Sequence, residues 1–486
     1  MKRIIDAVNQ FVWGFPALVL ILSVGIILSV RTGWVQFRLF PAALRNFIGS
    51  FRKEESRNGV SPYRALCTAL AATVGTGNLA GVGGAIAIGG PGAIFWMWIS
   101  AFLGMVTKFA EATLSVRYRM KDASGAYIGG PMHMVRQGMG PKWQPLAGVY
   151  CFFCVIAAFG VGSATQVNAV LSGINGAVKA LGGQESNIAN FLIGIALSIL
   201  VVLVLFGGAE RIGMAASFLV PFASVFYLLL CTGVLVLKAD AVPYALTSIV
   251  KGAFQPRAVT GGMLGSAFQA LRIGTSRGVF TNEAGMGTAG MAHGSALVSH
   301  PVEQGLMGII EVFLDTIVIC TMTALVILCS GCSIPFGQDL GIRITADAFS
   351  FVYGSWVYIP IALSLCCFAF ATILGWGLYG MRCAQYLFGE KVWKGFAFML
   401  AISVVLGAVI STGTVWSMSE AANGLMAIPN LIILSYLSPE LVRLVKEYNS
   451  LHGRLTANGG TYENFRKFKP VRFIADAEVS SSGRKG

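Results

Sequence analysis

The chain has 486 residues, 55% of them hydrophobic and 12% charged, against the roughly 25% charged of a soluble globular domain; a soluble enzyme is excluded and the lipid bilayer is the expected solvent. The net charge of +14 would suit nucleic acid only if it formed one basic domain. The Lys and Arg residues stand instead between apolar segments and in the tail, so lipid headgroups, not nucleic acid, are the expected partner.

A membrane-crossing helix needs about 20 apolar residues, and in chain order eleven stretches qualify: 12–30, 66–88, 92–116, 146–172, 187–206, 212–237, 258–288, 302–329, 355–380, 395–412 and 414–436. The first follows Lys2 and Arg3 and superficially resembles a signal peptide, but it is of spanning length and no small-x-small cleavage site follows it. It is kept as an extra N-terminal helix. Four regions result: 1–65, the extra helix and a basic loop; 66–257 and 258–440, two five-helix halves; and 441–486, a tail whose few apolar runs suggest partial disorder.

Cytoplasmic loops carry the excess of Lys and Arg. With loops alternating sides, 25 basic residues fall on the side of the Arg31–Arg64 loop and seven on the other. An external N-terminus and a cytoplasmic C-terminus are expected, in an integral multi-pass protein of the plasma (inner) membrane.

Two spans are poor continuous helices. Span 2 contains Ala69-Leu-Ala-Ala-Thr-Val-Gly-Thr-Gly-Asn-Leu-Ala-Gly81, where Gly75, Gly77, Gly81, Gly83 and Gly84 each cost about 1 kcal/mol relative to Ala in a helix interior. Span 7 contains Ala270 to Gly287, with Gly274, Gly278, Gly285 and Gly287 among polar residues. They lie five spans apart, and paired interruptions at matching positions of two inverted halves point to a midplane binding site. The competing reading, that the glycines only let helices pack closely, leaves Thr76, Asn78, Thr275, Ser276 and Asn282 unaccounted for.

The ten cysteines show neither a disulfide framework nor a zinc pattern. Most read as small buried residues, with Cys329-Ser-Gly-Cys332 at a helix end, where oxidation competes with free thiols. The four histidines, His133, His293, His300 and His452, lack metal-ligand spacing and read as loop residues. Lys108, Glu111, Arg272, Arg277, Glu283, Glu311, Asp315 and Glu420 lie inside the spans, where charge is functional by default. Glu311 and Asp315 share a helix face and could carry a proton, but pairing with Arg272 or Arg277 is the simpler expectation. No repeated selectivity filter, HExxH, GxSxG with partners or Walker-type loop occurs, which argues against a channel, an enzyme or an ATP-driven pump.

Gly89-Gly-Pro-Gly-Ala-Ile-Phe-Trp-Met-Trp-Ile-Ser-Ala-Phe-Leu-Gly104 resembles the signature of the alanine or glycine:cation symporter family. Arg277–Gly287, Phe370-Ala-Thr-Ile-Leu-Gly-Trp376 and Asn423-Gly-Leu-Met-Ala-Ile-Pro-Asn430 resemble its other blocks, in consistent order over about residues 10 to 440. The resemblance implies an all-α membrane protein of leucine-transporter type, a 5+5 inverted repeat (spans 2–11) preceded by one extra helix. It also implies sodium- or proton-coupled uptake of small neutral amino acids by alternating access, with sodium as coupling ion and no other cofactor.

A broken helix offers free N–H groups at one half's start and free carbonyls at the other half's end. Thr76, Gly77 and Asn78 are the candidates for the substrate carboxylate, and the carbonyls around Ile273, Gly274, Thr275 and Ser276 for its ammonium. Gln166 matches a substrate-contacting glutamine of the family, with an interhelical hydrogen bond as its alternative; Ser163 stands where the family has Asn. The family pattern makes Thr372 a polar contact and Trp376 a wall over the substrate side chain, the alternative for Trp376 being an interfacial belt residue. A Trp-walled pocket favours alanine or glycine; glutamine or serine as substrate, or proton coupling, is the alternative. By analogy with the fold's sodium site, the carbonyls of Ala71, Val74 and Ala369 with the Thr372 hydroxyl are cation candidates. The sequence leaves the oligomeric state open.

Overall fold

A computed structural model describes residues 2–51, 60–255, 267–338, 341–410 and 413–457. The chain opens with α1 (Lys2–Val12) and α2 (Phe15–Arg31), which form one apolar span over Ala7–Arg31, followed by α3 (Phe40–Ser50). Span 2 is a bent pair: α4 (Pro62–Thr73) meets a π-helical turn at Gly77–Gly81 and α5 (Val82–Gly89) at 50°. Ser61 caps α4 by accepting the Arg64 N–H at 3.2 Å, with Pro62 in the first turn, where its missing N–H costs nothing.

The first half continues through α6 (Gly92–Arg117), α7 (Gln144–Phe159) running by a π turn at Gly160–Ala164 into α8 (Thr165–Ala180), α9 (Asn187–Leu205), α10 (Gly208–Leu237) and α11 (Val242–Phe254). Between α6 and α7 a two-stranded hairpin pairs β1 (Met120–Lys121) with β2 (Tyr127–Ile128), antiparallel, with Met120 opposite Ile128. The second half comprises α12 (Ala267–Asn282), α13 (Thr288–His293), α14 (Pro301–Val312), a π segment at Phe313–Cys320, α15 (Thr321–Cys329), α16 (Ile342–Tyr353), α17 (Tyr358–Phe388), α18 (Trp393–Val409) and α19 (Gly413–Ala457).

Among the described residues nine helices are long and apolar enough to cross a membrane, and the bent span 2 makes ten. The eleventh expected span, 258–288, begins outside the described residues. Its described part, α12, is 16 residues long and stops at a break, because backbone conformation changes hand there. The expected boundary between the halves at 258 likewise lies outside. The tail differs in part from expectation: α19 runs 45 residues, about 67 Å, so helix continues past Leu441 to Ala457. The later tail, 458–486, is outside the described residues.

Close helix approach organises the interior. α6 packs mainly against α12 and α14, α17 against α7, α8 and α10, and α9 against α18. Gly274 shows why: a Cβ there would lie 2.1 Å from the Ala93 carbonyl oxygen of α6, and one on Gly278 would lie 2.2 Å from Ser100 Oγ. These two glycines of span 7 are therefore packing residues, and the interruption belongs to Gly285 and Gly287, with φ of 95° and 79°.

Gly274→Val should lower the thermal midpoint of the purified protein, at an overpacking cost of about 1–3 kcal/mol. Gly148→Ala, whose added Cβ meets nothing within 4 Å, should leave the midpoint unchanged or raise it.

Candidate functional site

Both breaks form where a side chain satisfies the freed backbone, one from within span 2 and anchored on another helix, the other from α6. In span 2, Val74 ends α4 with extended backbone (φ −78°, ψ 101°). Asn78 Oδ1 then accepts the Gly75 N–H at 2.8 Å, while its Nδ2 donates to Asp315 Oδ1 at 2.6 Å and to the Asp315 carbonyl at 3.2 Å. In span 7, Glu283 takes a left-handed φ of 53°, rare for a residue with a side chain. Glu111 Oε1, from α6, accepts the N–H groups of Gly285 (2.9 Å) and Gly287 (3.0 Å) and the Asn430 Nδ2 of α19 (2.8 Å), and Asn430 Nδ2 also reaches the Gly285 carbonyl at 2.9 Å.

Between the breaks lies a small cavity of about 20 Å³, room for roughly one water. Span 2 contributes Ala72, Thr73, Gly75, Thr76 and Gly77; the α7–α8 helix contributes Val161, Thr165 and Gln166; span 7 contributes Phe280, Thr281 and Glu283; α17 contributes Thr372 and Trp376. Thr76 Oγ1 donates to Gln166 Oε1 at 3.1 Å, and Gln166 Nε2 donates to the Val161 carbonyl at 2.9 Å. Thr372 donates to the Phe368 carbonyl at 2.9 Å; its hydroxyl faces Gly75, where a Cβ would come within 2.7 Å. Trp376 Nε1 donates to Glu283 Oε1 at 3.0 Å, and Glu283 Oε2 accepts from Thr288 Oγ1 at 2.7 Å.

The structure thus gathers Thr76, Gly77, Gln166, Thr372 and Trp376 around one space. Trp376 is fully buried, and so is not a belt residue. Asn78 lies beside the cavity but off its wall, with both amide atoms engaged. Ile273, Gly274, Thr275 and Ser276 are not brought there: they sit inside continuous α12, with Ile273 against Gly89 and Gly274 against α6. The carbonyls that a break releases belong to the last turn of α12, where Phe280 and Thr281 line the cavity. The cation candidates Ala71, Val74, Ala369 and Thr372 are buried on two facing segments, the end of α4 and α17, which touch where a Cβ on Gly375 would lie 3.0 Å from that of Ala72.

The intramembrane charges pair differently from expectation. Glu311 binds Lys108 Nζ at 3.1 Å through Oε1 and His293 Nε2 at 2.9 Å through Oε2, all three without exposure. Asp315 binds Asn78 and the Thr316 hydroxyl (2.7 Å). Arg277 instead pairs with Glu420 at 3.4 Å, and Arg272 is exposed. The reason is position: Lys108 of α6 and His293 of α13 flank Glu311, whereas Arg277, past the middle of α12, meets Glu420 near the start of α19.

His293, read from sequence as a loop residue, is buried in α13, with Nδ1 2.7 Å from Gln304 Nε2. His133 is buried in the short helix Pro131–Met134 and His300 caps α14 through Nδ1, 3.2 Å from the Val302 N–H. His452 lies in the end of α19, where side chains are outside the description. Cys329 and Cys332 are free. Glu283, Lys108 and Glu111 are visible in the sequence as intramembrane charges, but their partners come from distant segments and no local spacing announces them.

The sequence model of the sodium:alanine symporter family matches residues 1–458. The sodium/alanine symporter AgcS of Methanococcus maripaludis is 38% identical over 92% of this chain and 97% of its own length. The probable sodium/glutamine symporter GlnT of Bacillus subtilis is 34% identical over 92% of this chain and 91% of its own. Among solved structures, MhsT in complex with L-phenylalanine superposes with a TM-score of 0.52 at 14% identity, covering 80% of this chain and 99% of that one; the likeness shows a shared fold, the leucine-transporter-type architecture expected from the sequence. With the family matched over nearly its whole length, the chain belongs to the sodium:alanine symporter family.

Proposed function

We propose that this chain is a secondary active symporter that couples inward sodium movement to the uptake of a small neutral amino acid, alanine or glycine, by alternating access. The observation that carries this reading is the small cavity between the two helix breaks, with the polar side chains of Thr76, Thr165, Gln166 and Thr372 on its walls and the last turn of α12 at its edge. The carboxylate of the substrate goes to the Thr76–Gly77 turn and Gln166. Its ammonium goes to the last-turn carbonyls of α12, where the helix end is negative.

Trp376 and Gln166 close the space around the substrate side chain, so a methyl group fits with the least parting of the walls. Sodium is taken by the carbonyls of Ala71, Val74 and Ala369 with the Thr372 hydroxyl. Thr372 then acts as ion ligand and lies next to the substrate through Gly75, which supports binding of the two as coupled events. A sodium/glutamine symporter among the relatives makes a larger side chain the reading to test against alanine.

The basic loops set the orientation. Arg382 of α17 meets Asp122 of the hairpin at 3.5 Å and Arg117 meets Glu440 of α19 at 2.9 Å. Three basic regions therefore gather at one end, which supports placing that end and the C-terminus in the cytoplasm.

In liposomes, labelled alanine should accumulate under an inward sodium gradient and stop when the gradient is collapsed; accumulation that needs only an imposed pH gradient would replace sodium with protons. Gln166→Ala should raise the KM for alanine about tenfold, from hydrogen bonds worth about 0.5–1.5 kcal/mol each, and an unchanged KM would remove Gln166 from the site. Competition by glycine, serine and glutamine at fixed sodium identifies the substrate class, with strong competition by glutamine favouring the larger substrate. For orientation, half-exposed Cys332 should react with an impermeant maleimide in intact cells; reaction only after permeabilisation would reverse the topology.

A further inference from the structure

The two oxygens of Glu283 are both occupied by protein donors, Trp376 Nε1 at 3.0 Å and Thr288 Oγ1 at 2.7 Å. Its carboxylate therefore acts on Trp376 and not on the substrate directly. The residue sits on the α12–α13 linker, which is held to α6 by Glu111 and by the close approach of Gly274. Trp376 belongs to α17, which packs on α7, α8 and α10. The hydrogen bond thus crosses the seam between two groups of helices, at the edge of the cavity that Trp376 walls.

Beyond Trp376 the same seam is a thin plug. Tyr379 stacks edge-on against Trp376, with ring centroids 5.9 Å apart, and Cys383 Sγ lies 3.8 Å from Met291 Sδ of α13. Trp376, Tyr379 and Cys383 are all fully buried. Yet Arg382 and Gln385 of the same helix line two open cavities of about 660 and 640 Å³. From Trp376 to Arg382 the helix advances only about 9 Å. Inside this plug the Tyr379 hydroxyl is buried without a hydrogen-bond partner, as is the Tyr150 hydroxyl of α7, the helix that packs on α17. Unpaired phenols are costly in a dry interior and are satisfied when water enters, so the plug carries the chemistry of a path that hydrates.

We propose that Glu283 is a positioning residue that latches the inner door of the transporter: its hydrogen bond to Trp376 closes the cavity toward the Arg382 end, and release on that side runs between α13 and α17 past Tyr379 and Cys383. This rests on the reading of the cavity as the substrate site. Breaking the latch frees the indole to swing with α17 and lets water reach Tyr379 first and Cys383 next.

The test uses the full chain in liposomes, without any amino acid present, and follows the rate of N-ethylmaleimide addition to Cys383 by peptide mass spectrometry. In the unmodified protein Cys383 should react slowly. Glu283→Ala and Trp376→Phe should each speed it by up to about tenfold, the equilibrium shift expected from losing one hydrogen bond, while Cys231, buried in α10, stays slow. Glu283→Gln, whose amide oxygen still accepts from the indole, should react at the unmodified rate, and the double variant Glu283→Ala with Trp376→Phe no faster than either alone. If Glu283→Ala exposes Cys231 as well, it has misfolded, and Trp376→Phe, which removes the N–H donor and keeps a smaller ring in place, decides together with the unmodified rate expected of Glu283→Gln. An unmodified Cys383 rate in Trp376→Phe, or a Glu283→Gln rate as fast as that of Glu283→Ala, overturns the latch. Because no substrate is used, that failure is separate from an unchanged alanine KM in Gln166→Ala, which would overturn the site itself.

Discussion

A peptide group released from a helix inside a membrane protein must find another partner, at a cost of several kcal/mol if it does not, and the rest of this structure depends on how that demand is met. At the second break the answer is Glu111: one carboxylate oxygen takes the N–H groups of Gly285 and Gly287 and the amide of Asn430. At the first break Asn78 closes the turn at Gly75 and is itself anchored on Asp315. Charge-assisted bonds of this kind are roughly twice as strong as neutral ones. Since the partners come from α6, α19 and the π segment after α14, neither break is stable until those helices have packed, so the fold and the cavity form together.

The same logic extends to the buried charges. Lys108, Glu311 and His293 form a chain that Gln304 carries on to the Pro62 carbonyl at 3.4 Å. Removing one member of a buried pair typically costs about 3–5 kcal/mol because the other charge is left without compensation. The chain links α6, α14, α13 and the start of α4, the helices that carry or flank both breaks, and so ties them as a unit. Across the cavity the unit meets its neighbours through single hydrogen bonds, Thr76 to Gln166 and Trp376 to Glu283. Strong ties within a group and weaker ones at its edge are what rigid-body rocking around a fixed site requires.

Much of the site was legible because the chemistry of an interrupted helix is local. Glycine and polar residues at membrane depth in spans 2 and 7 marked the breaks, and Thr76, Gly77, Gln166, Thr372 and Trp376 all reach the cavity. The place of the second break within span 7 was not legible. Gly274 and Gly278 look in sequence like Gly285 and Gly287, but the first pair accommodates α6 and the second adopts positive φ. A glycine that yields space and a glycine that yields backbone freedom are the same letter, and only a neighbouring helix distinguishes them. Ile273–Ser276, the expected ammonium contacts, lie with the packing pair and away from the cavity.

By itself the sequence determined the solvent, the spans, the pairing of two interrupted helices five spans apart and the family, since apolar length, basic loops and motif order are properties of the chain read in one dimension. Tertiary structure decided which acid meets which base. Glu311 chose Lys108 over Arg272 or Arg277, Glu111 took up two glycine N–H groups 174 and 176 positions away, and Glu283 came to hold Trp376. Partners for a buried charge are set by which side chains share its low-dielectric surroundings, and sequence spacing carries no record of that once the partners lie on different helices.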